Sequence, residues 1–300
     1  MGLLDQFIVR TLPFVPKPIV KRLSRPYIAG SELEQARAVV MSLNSKGFRT
    51  TIDLLGEFVD SFDQVEENLR GYQAILDMIH SHKLNANISI KPTSFGLLLD
   101  GQRCQTLLSG LMERVSAQGN FMRIDMEDSH CTSPTIELYQ QLRSRWPEQV
   151  GVVLQAYLHR TPQDVAAITE SQPGRFRLCK GIYVEPPQVA IKDYQAIRRQ
   201  FLAVLQSMLQ SGSHVGIATH DDVLVEGAYE LIHRLQIPKE RYEFQMLLGV
   251  REPLRDSILA AGHPVRIYVP FGSRWYEYSV RRLKENPALA GTMFKAIFFG

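Results

Sequence analysis

The chain has 300 residues, 45% hydrophobic and 22% charged, with a formal net charge of +3. That is ordinary globular composition and long enough to bury a large core without covalent staples. The positive charge sits at the start: residues 1–30 carry Arg10, Lys17, Lys21, Arg22 and Arg25 against Asp5 alone, so the remainder is near neutral and offers no basic groove for nucleic acid.

Leu3, Leu4, Phe7, Ile8 and Leu12 recur at helical spacing until Pro13, Pro16 and Pro18 interrupt them. Two readings of residues 1–30 stand side by side. One is a helix packed on the main body or at an oligomer contact; the other is an interfacial membrane contact, since apolar side chains lie beside basic ones. No apolar run approaches the roughly 20 residues needed to span a bilayer. Ser31 and Glu34 form an S-x-x-E pattern that predicts a capped helix over 31–46.

A regular alternation then begins. Strands are predicted at 49–56, 86–91, 121–127, 150–157, 175–181, 214–220, 242–249 and 264–271, several of them nearly unbroken apolar runs, as expected where both faces of a parallel strand are buried. Helical stretches fall between them, among others at 107–117, 134–146, 194–210 and 254–261, the last with Pro253 at its start. Eight strands alternating with helices predict a closed (βα)₈ barrel, a TIM barrel, over residues 47–300, with 1–46 as an N-terminal helical extension. An open doubly wound sheet is the runner-up, but no G-x-G-x-x-G or phosphate-loop motif follows any strand. Cys104, Cys131 and Cys179 are widely spaced and form no C-x-x-C pair, so no metal site or disulfide framework is expected and a reducing, cytoplasmic setting is the simplest reading.

In a (βα)₈ barrel the active site lies at the C-terminal ends of the strands. There the sequence places Glu57, Lys91, Asp125 with Glu127, Gln155, Lys180, His220 and Tyr268. Each could be an ordinary loop residue, yet the pattern repeats on nearly every strand. Tyr278, Arg281, Arg282 and Glu285 share one side of a helix after the eighth strand. That helix either shows a charged stripe to solvent or folds over the barrel mouth, where two guanidinium groups would clamp a carboxylate and Lys91 would add a third positive charge. Cations with one or two carboxylates suit a small zwitterion.

Five blocks, in order, resemble the proline dehydrogenase family: Asp125-Met126-Glu127-Asp128; Gln155-Ala156-Tyr157-Leu158; Arg177 through Tyr183; Ala218-Thr219-His220; and Pro270-Phe271-Gly272 followed by Tyr278, Arg281, Arg282 and Glu285. The resemblance spans roughly residues 49–286, and the chain's length matches the monofunctional bacterial form. It implies a distorted barrel with FAD over the strand ends and the last helix across the mouth. It further implies oxidation of L-proline to Δ1-pyrroline-5-carboxylate, with hydride transfer to the flavin and electrons passed to a membrane quinone. Lys91, Arg281 and Arg282 would bind the proline carboxylate, Tyr268 and Tyr278 would pack against the ring, and Glu285 would support the arginines. Asp125 would act beside Tyr268, and Glu57 would be a gate residue pairing with Arg281. Met126, Gln155, Arg177, Lys180, Gly181, Ile182, Thr219 and His220 would contact the cofactor, with Arg177 near flavin N5. Together with the basic, apolar N-terminus, the quinone implies peripheral docking on the inner face of the membrane.

Three positions depart from the family pattern: Cys179 and Ile182 on the flavin-facing segment, and Asp221, which brings an extra negative charge toward the phosphate or adenine end. Alternatives from other classes are a Schiff-base aldolase or lyase using Lys91 or Lys180, and a non-catalytic barrel that binds small amino acids. Hydroxyproline as substrate ranks low, because in the family a tyrosine at position 268 crowds the ring carbon that would carry the hydroxyl.

Overall fold

A computed structural model of the chain describes residues 17–276 and 278–280. Eight parallel strands close in sequence order into a barrel: β1 (Arg49–Leu54), β2 (Ala86–Ile90), β3 (Met122–Ile124), β4 (Val150–Gln155), β5 (Arg175–Cys179), β6 (His214–Ala218), β7 (Tyr242–Leu247) and β8 (Val265–Phe271). Closure is made by β8 lying along β1, with Arg49 opposite Arg266 and Leu54 opposite Phe271. Most strands begin at or within a residue of the predicted position and end earlier. The apolar character that prolonged the predictions belongs to segments that turn at the rim, such as Ala156–Tyr157 beyond β4, whose N–H groups still bond Cys179 O and Lys180 O (2.7 and 2.8 Å).

The helices are α1 (Lys17–Ser24), α2 (Leu33–Ser45), α3 (Phe62–Ser81), α4 (Gly101–Ala117), α5 (Ser129–Arg145), α6 (Thr161–Thr169), α7 (Tyr194–Gln210), α8 (Asp222–Arg234) and α9 (Glu252–Ala260). Residues 275–276 and 278–280 are also helical. The cap of α2 differs from the expected Ser31–Glu34 pair. Its N-cap is Glu32, and the Gln35 side chain accepts from the Glu32 and Ser31 backbone N–H groups (3.1 and 2.9 Å). A glutamine three residues past the cap serves as well as a glutamate, and it won the register. Two further starts lie earlier than predicted. Asp100 caps α4 by accepting from Arg103 N (3.0 Å), and α5 runs from Ser129 through Pro134.

Helix α2 packs on both β8 and β1, burying Ala36, Val40 and Leu43 in the place beside the sheet that an eighth outer helix would take. The apolar stretch expected at residues 3–12 lies outside the described residues. Pro18, read as an interruption, sits in the first turn of α1, where a missing N–H costs nothing. Lys17 and Lys21 of α1 lie over the rings of Tyr276 and Trp275 (5.3 and 5.9 Å), so α1 sits on the side where the strands end.

The two faces of the sheet differ. Side chains alternate along a strand, and the set facing the helices is apolar: Ile52, Ile88, Val152, Phe176, Ile217 and Phe244 are all at or near zero exposure. The set facing the lumen is polar. Asp53, Ser89, Arg123, Arg177, Glu243 and Gln245 are buried there. Two glycines make the room, since a Cβ at Gly151 would collide with the Arg123 guanidinium and one at Gly216 with the Gln245 amide. The strands are therefore buried on both faces, as expected, but hydrocarbon covers only the outer one.

Candidate active site

At the C-terminal end of the barrel, side chains from five strands and two strand-end residues converge. Lys91, one residue past β2, donates to Asp53 Oδ1 and Oδ2 on β1 (3.0 and 3.2 Å) and reaches Asp125 Oδ2 (3.5 Å) and Tyr268 OH on β8 (3.4 Å). Asp125, just past β3, accepts from Tyr268 OH (2.8 Å), Ser89 Oγ on β2 (2.5 Å) and Arg177 on β5 (2.7 Å). The Arg177 guanidinium lies 5.2 Å from the Tyr268 ring centre. Its Nε donates to Gln245 Oε1 on β7, and Gln245 Nε2 donates to Glu243 Oε1 (2.7 Å).

This is two cations against two carboxylates, nearly all out of water. Burial disfavours the charged form of Asp125, yet Lys91, Arg177 and the hydrogen bonds from Ser89 and Tyr268 hold it below the ordinary carboxylate range. Burial pushes the Asp53 carboxyl up, against the pull of Lys91. Burial likewise opposes the Lys91 ammonium, but Asp53, Tyr268 and Asp125 hold its pKa well above the usual lysine value. Burial and the same two aspartates push Tyr268 well up, so its hydroxyl stays a donor.

A second group stiffens the rim. Glu127 is fully buried. Its carboxylate accepts from Thr93 N (3.0 Å) and Thr93 Oγ1, and its backbone oxygen accepts from Gln155 Nε2 (2.8 Å). Phe58 N donates to Thr93 Oγ1 (3.0 Å), so the segments after β1, β2 and β3 and the last residue of β4 are tied into one hydrogen-bonded group around Thr93 and Glu127. Burial pushes Glu127 up to about 7. Gln155 Oε1 is buried without a hydrogen-bond partner among the described residues. Glu57 is half-buried in the segment after β1, and Met126 is buried next to Glu127.

A third group follows β5 and β6. Lys180 Nζ donates to Asp221 Oδ2 (3.0 Å) and Tyr194 OH (3.0 Å), while Arg198 grips both Asp221 oxygens (2.9 and 2.7 Å). Burial alone would raise Asp221, but Arg198, Tyr194 and Lys180 pull it far below the carboxylate range. Asp221 also caps α8 by accepting from Val223 N (3.2 Å). The extra acid noted in the sequence is thus neutralised locally and does not present a bare charge. Thr219 Oγ1 accepts from Asp221 N (3.1 Å), and His220 Nε2 accepts from Leu247 N (2.9 Å), which fixes the imidazole between β6 and β7. Gly181 has φ +112°, and a Cβ there would collide with the Tyr157 ring. Ile182 is 41% exposed, while burial pushes the Cys179 thiol up to about 12, the behaviour of an inert packing residue.

The structure therefore brings together Lys91, Asp125, Arg177 and Tyr268, and groups Lys180, Gly181, Thr219 and His220 beside them. Tyr278 packs against a cluster of Tyr27, Ile28 and Leu55 at the end of β1. Arg281, Arg282 and Glu285, with the rest of the helix expected to cross the mouth, lie outside the described residues. Four participants went unread in the sequence: Asp53, Ser89, Thr93 and Gln245. Ser89 stands two residues before Lys91 and pairs in register with Asp53, so all three face the lumen, a placement that the strand register supplies and the sequence does not.

A closed parallel barrel with an ionic cluster of Lys, Arg, Asp and Tyr at its strand ends defines a (βα)₈-barrel enzyme site for a small charged substrate. The family model described as proline dehydrogenase matches residues 36–295. Proline dehydrogenase 1 of Bacillus subtilis (strain 168) is 34% identical over 289 residues, 96% of this chain and 95% of the relative. The proline dehydrogenase of Deinococcus radiodurans is 30% identical over 301 residues, 96% of this chain and 97% of the relative. Among solved structures, proline utilization A from Bdellovibrio bacteriovorus, inactivated by N-propargylglycine, aligns with a TM-score of 0.84 at 22% identity. That alignment covers 96% of this chain and 38% of the other, and it speaks to the fold. The chain belongs to the proline dehydrogenase family. Membership makes it an oxidoreductase and implies a flavin cofactor.

Proposed function

We propose that this protein oxidises L-proline to Δ1-pyrroline-5-carboxylate using FAD and passes the electrons to a membrane quinone. The observation that carries this reading is the Lys91–Asp53–Asp125–Arg177–Tyr268 cluster at the strand ends of a barrel belonging to this family.

The residues present fit a flavin. Gln155 offers a buried acceptor, without a partner among the described residues, for an N–H donor of the ring system. The bare backbone at Gly181 allows close approach beside Tyr157. Met126, Gln155, Arg177, Lys180, Gly181, Ile182, Thr219 and His220 would hold the group. When bound, FAD supplies the acceptor for a hydride from the ring carbon next to the substrate nitrogen.

The chain's own residues do the rest. Lys91, with Arg281 and Arg282 from the C-terminal stretch, holds the proline carboxylate. Tyr268, Tyr278 and Glu285 complete the substrate pocket, and Glu57 gates it. Cations crowded around the substrate lower the pKa of its ring nitrogen, so the amine binds neutral, as hydride loss requires. Asp125 holds Tyr268 OH and Arg177 in place, and Arg177 puts fixed positive charge where negative charge develops. The aldolase alternative needs a neutral lysine. Lys91 is instead held protonated by Asp53, and Lys180 is paired with Asp221.

The test is the absorption spectrum of the purified protein under anaerobic conditions. A flavin spectrum that bleaches on adding L-proline is expected. A colourless protein, or a flavin band that proline leaves unmoved, would refute the assignment. No helix among the described residues is long and apolar enough to cross a membrane. Docking through residues 1–30 is tested by removing residues 1–25, and liposome binding equal to that of the whole chain would exclude that segment as the anchor.

A further inference from the structure

The opposite end of the barrel holds a cavity of about 680 Å³. Its walls come from the starts of the strands, far from the strand-end site, and they carry an unbalanced charge. Among the described residues Arg49, Lys83, Arg123, Arg175 and Arg266 line it, against two carboxylates. Both carboxylates are already taken: Glu148 by Arg175, and Glu243 by Arg266 Nε (2.6 Å) with Arg49 (3.3 Å).

Arg123 is the telling residue. It is 3% exposed, and no carboxylate among the described residues lies within ion-pair distance of it. Its NH1 donates only to the backbone oxygens of Arg175 (2.7 Å) and Val152 (3.4 Å). Burial, with Arg177 close by, brings its pKa down to about 9. A buried guanidinium without an anion is costly, yet Gly151 is kept small to accommodate it. The neutral donors nearby add to the same preference. His214 lines the cavity with its pKa pushed down to about 4 by burial, so at neutral pH its ring carries one N–H. Asn87 Oδ1 accepts from Thr51 Oγ1 (2.6 Å), which leaves its NH₂ as a further donor. The C-termini of α3 and α4 come to this end as well, but their last carbonyls are engaged by His82 N and Gln118 N.

We propose that this cavity binds a multivalent oxyanion of the phosphate class. A surplus of cations calls for more than one negative charge. Donors that converge from several strands suit a tetrahedral group, which accepts from all sides, better than a planar carboxylate, which accepts in its plane. The site is independent of proline oxidation.

The experiment is calorimetric titration of inorganic pyrophosphate into the purified full chain with its cofactor bound. One saturable site is expected. The double variant Lys83→Gln/Arg175→Gln, altered only at exposed or half-exposed side chains, should weaken it by at least about tenfold. Arg123→Met should abolish it, and if that variant does not fold, the double variant decides. Lys91→Met at the other end should leave the affinity unchanged. Absence of saturable binding, affinity unaffected by the double variant, or loss of binding in Lys91→Met would each overturn the proposal.

Discussion

The two ends of the barrel lumen are built from similar side chains and balanced in opposite ways. At the strand ends, Lys91 and Arg177 face Asp53 and Asp125, and each charge has an opposite within 3.5 Å. At the strand starts, arginines outnumber acids among the described residues, and Arg123 meets backbone oxygens and the face of the Phe121 ring (4.8 Å to its centre) but no carboxylate within ion-pair distance. The two ends are joined through the lumen by the run Arg266–Glu243–Gln245–Arg177. The comparison teaches that polarity inside a barrel is not in itself a sign of catalysis. What distinguishes the rim is a pre-paired ionic set, on which the proposed zwitterionic substrate would act by exchanging partners, whereas the base holds positive charge that no carboxylate among the described residues pairs.

Four substitutions would break or sharpen this contrast. The largest effect is expected from Arg177→Met, which removes the rim's central cation. Turnover with proline should fall by two orders of magnitude or more, on the order of 3 kcal/mol of transition-state stabilisation, measured by anaerobic flavin reduction. Next is Lys91→Met. Proline affinity should weaken by about 2 kcal/mol, the lower end of what truncating one partner of a buried charge pair costs, read from the proline dependence of that reduction.

Glu127→Gln tests the clamp behind the rim. The folded-state pKa of about 7 lies above the usual 4.5 for glutamate. Between these values the folded chain holds a proton that the unfolded chain has released. Stability should therefore decline as pH rises from about 4.5 to 7, by on the order of 3 kcal/mol. Glu127→Gln should flatten that part of the profile in urea unfolding. An unchanged slope would mean that Glu127 is ionised in the folded state. The smallest effect belongs to the base: Arg49, 40% exposed in its side chain, pairs with Glu243, which Arg266 also holds. Arg49→Gln should cost below about 1 kcal/mol and leave turnover unchanged. A large loss of turnover would show that the base drives the rim through Glu243 and Gln245.

The order of eight strands was legible because each apolar run is short, bounded by turn residues and followed by a helical pattern. The strand-end positions of Lys91, Asp125, Gln155 and Tyr268 followed from the fold class, and the resemblance added Arg177. Asp53, Ser89 and Gln245 were not legible as site residues. Each lies within a strand, and nothing in a one-dimensional pattern distinguishes an acid pointing into the lumen from one capping a neighbouring turn. The functional meaning of Arg123 and Glu243 was hidden for the same reason.

By itself the sequence determined the (βα)₈ repeat and the family, and it placed the candidate site at the strand ends, since these depend on local periodicity and short motifs. Only the tertiary structure decided which face of each strand is polar, that Lys91 rests on Asp53 as well as Asp125, and that Asp221 is neutralised by Lys180 and Arg198. The physical reason is that charge pairing acts over a few ångströms in space, between residues that the barrel brings together from positions 23 to 41 apart in the chain.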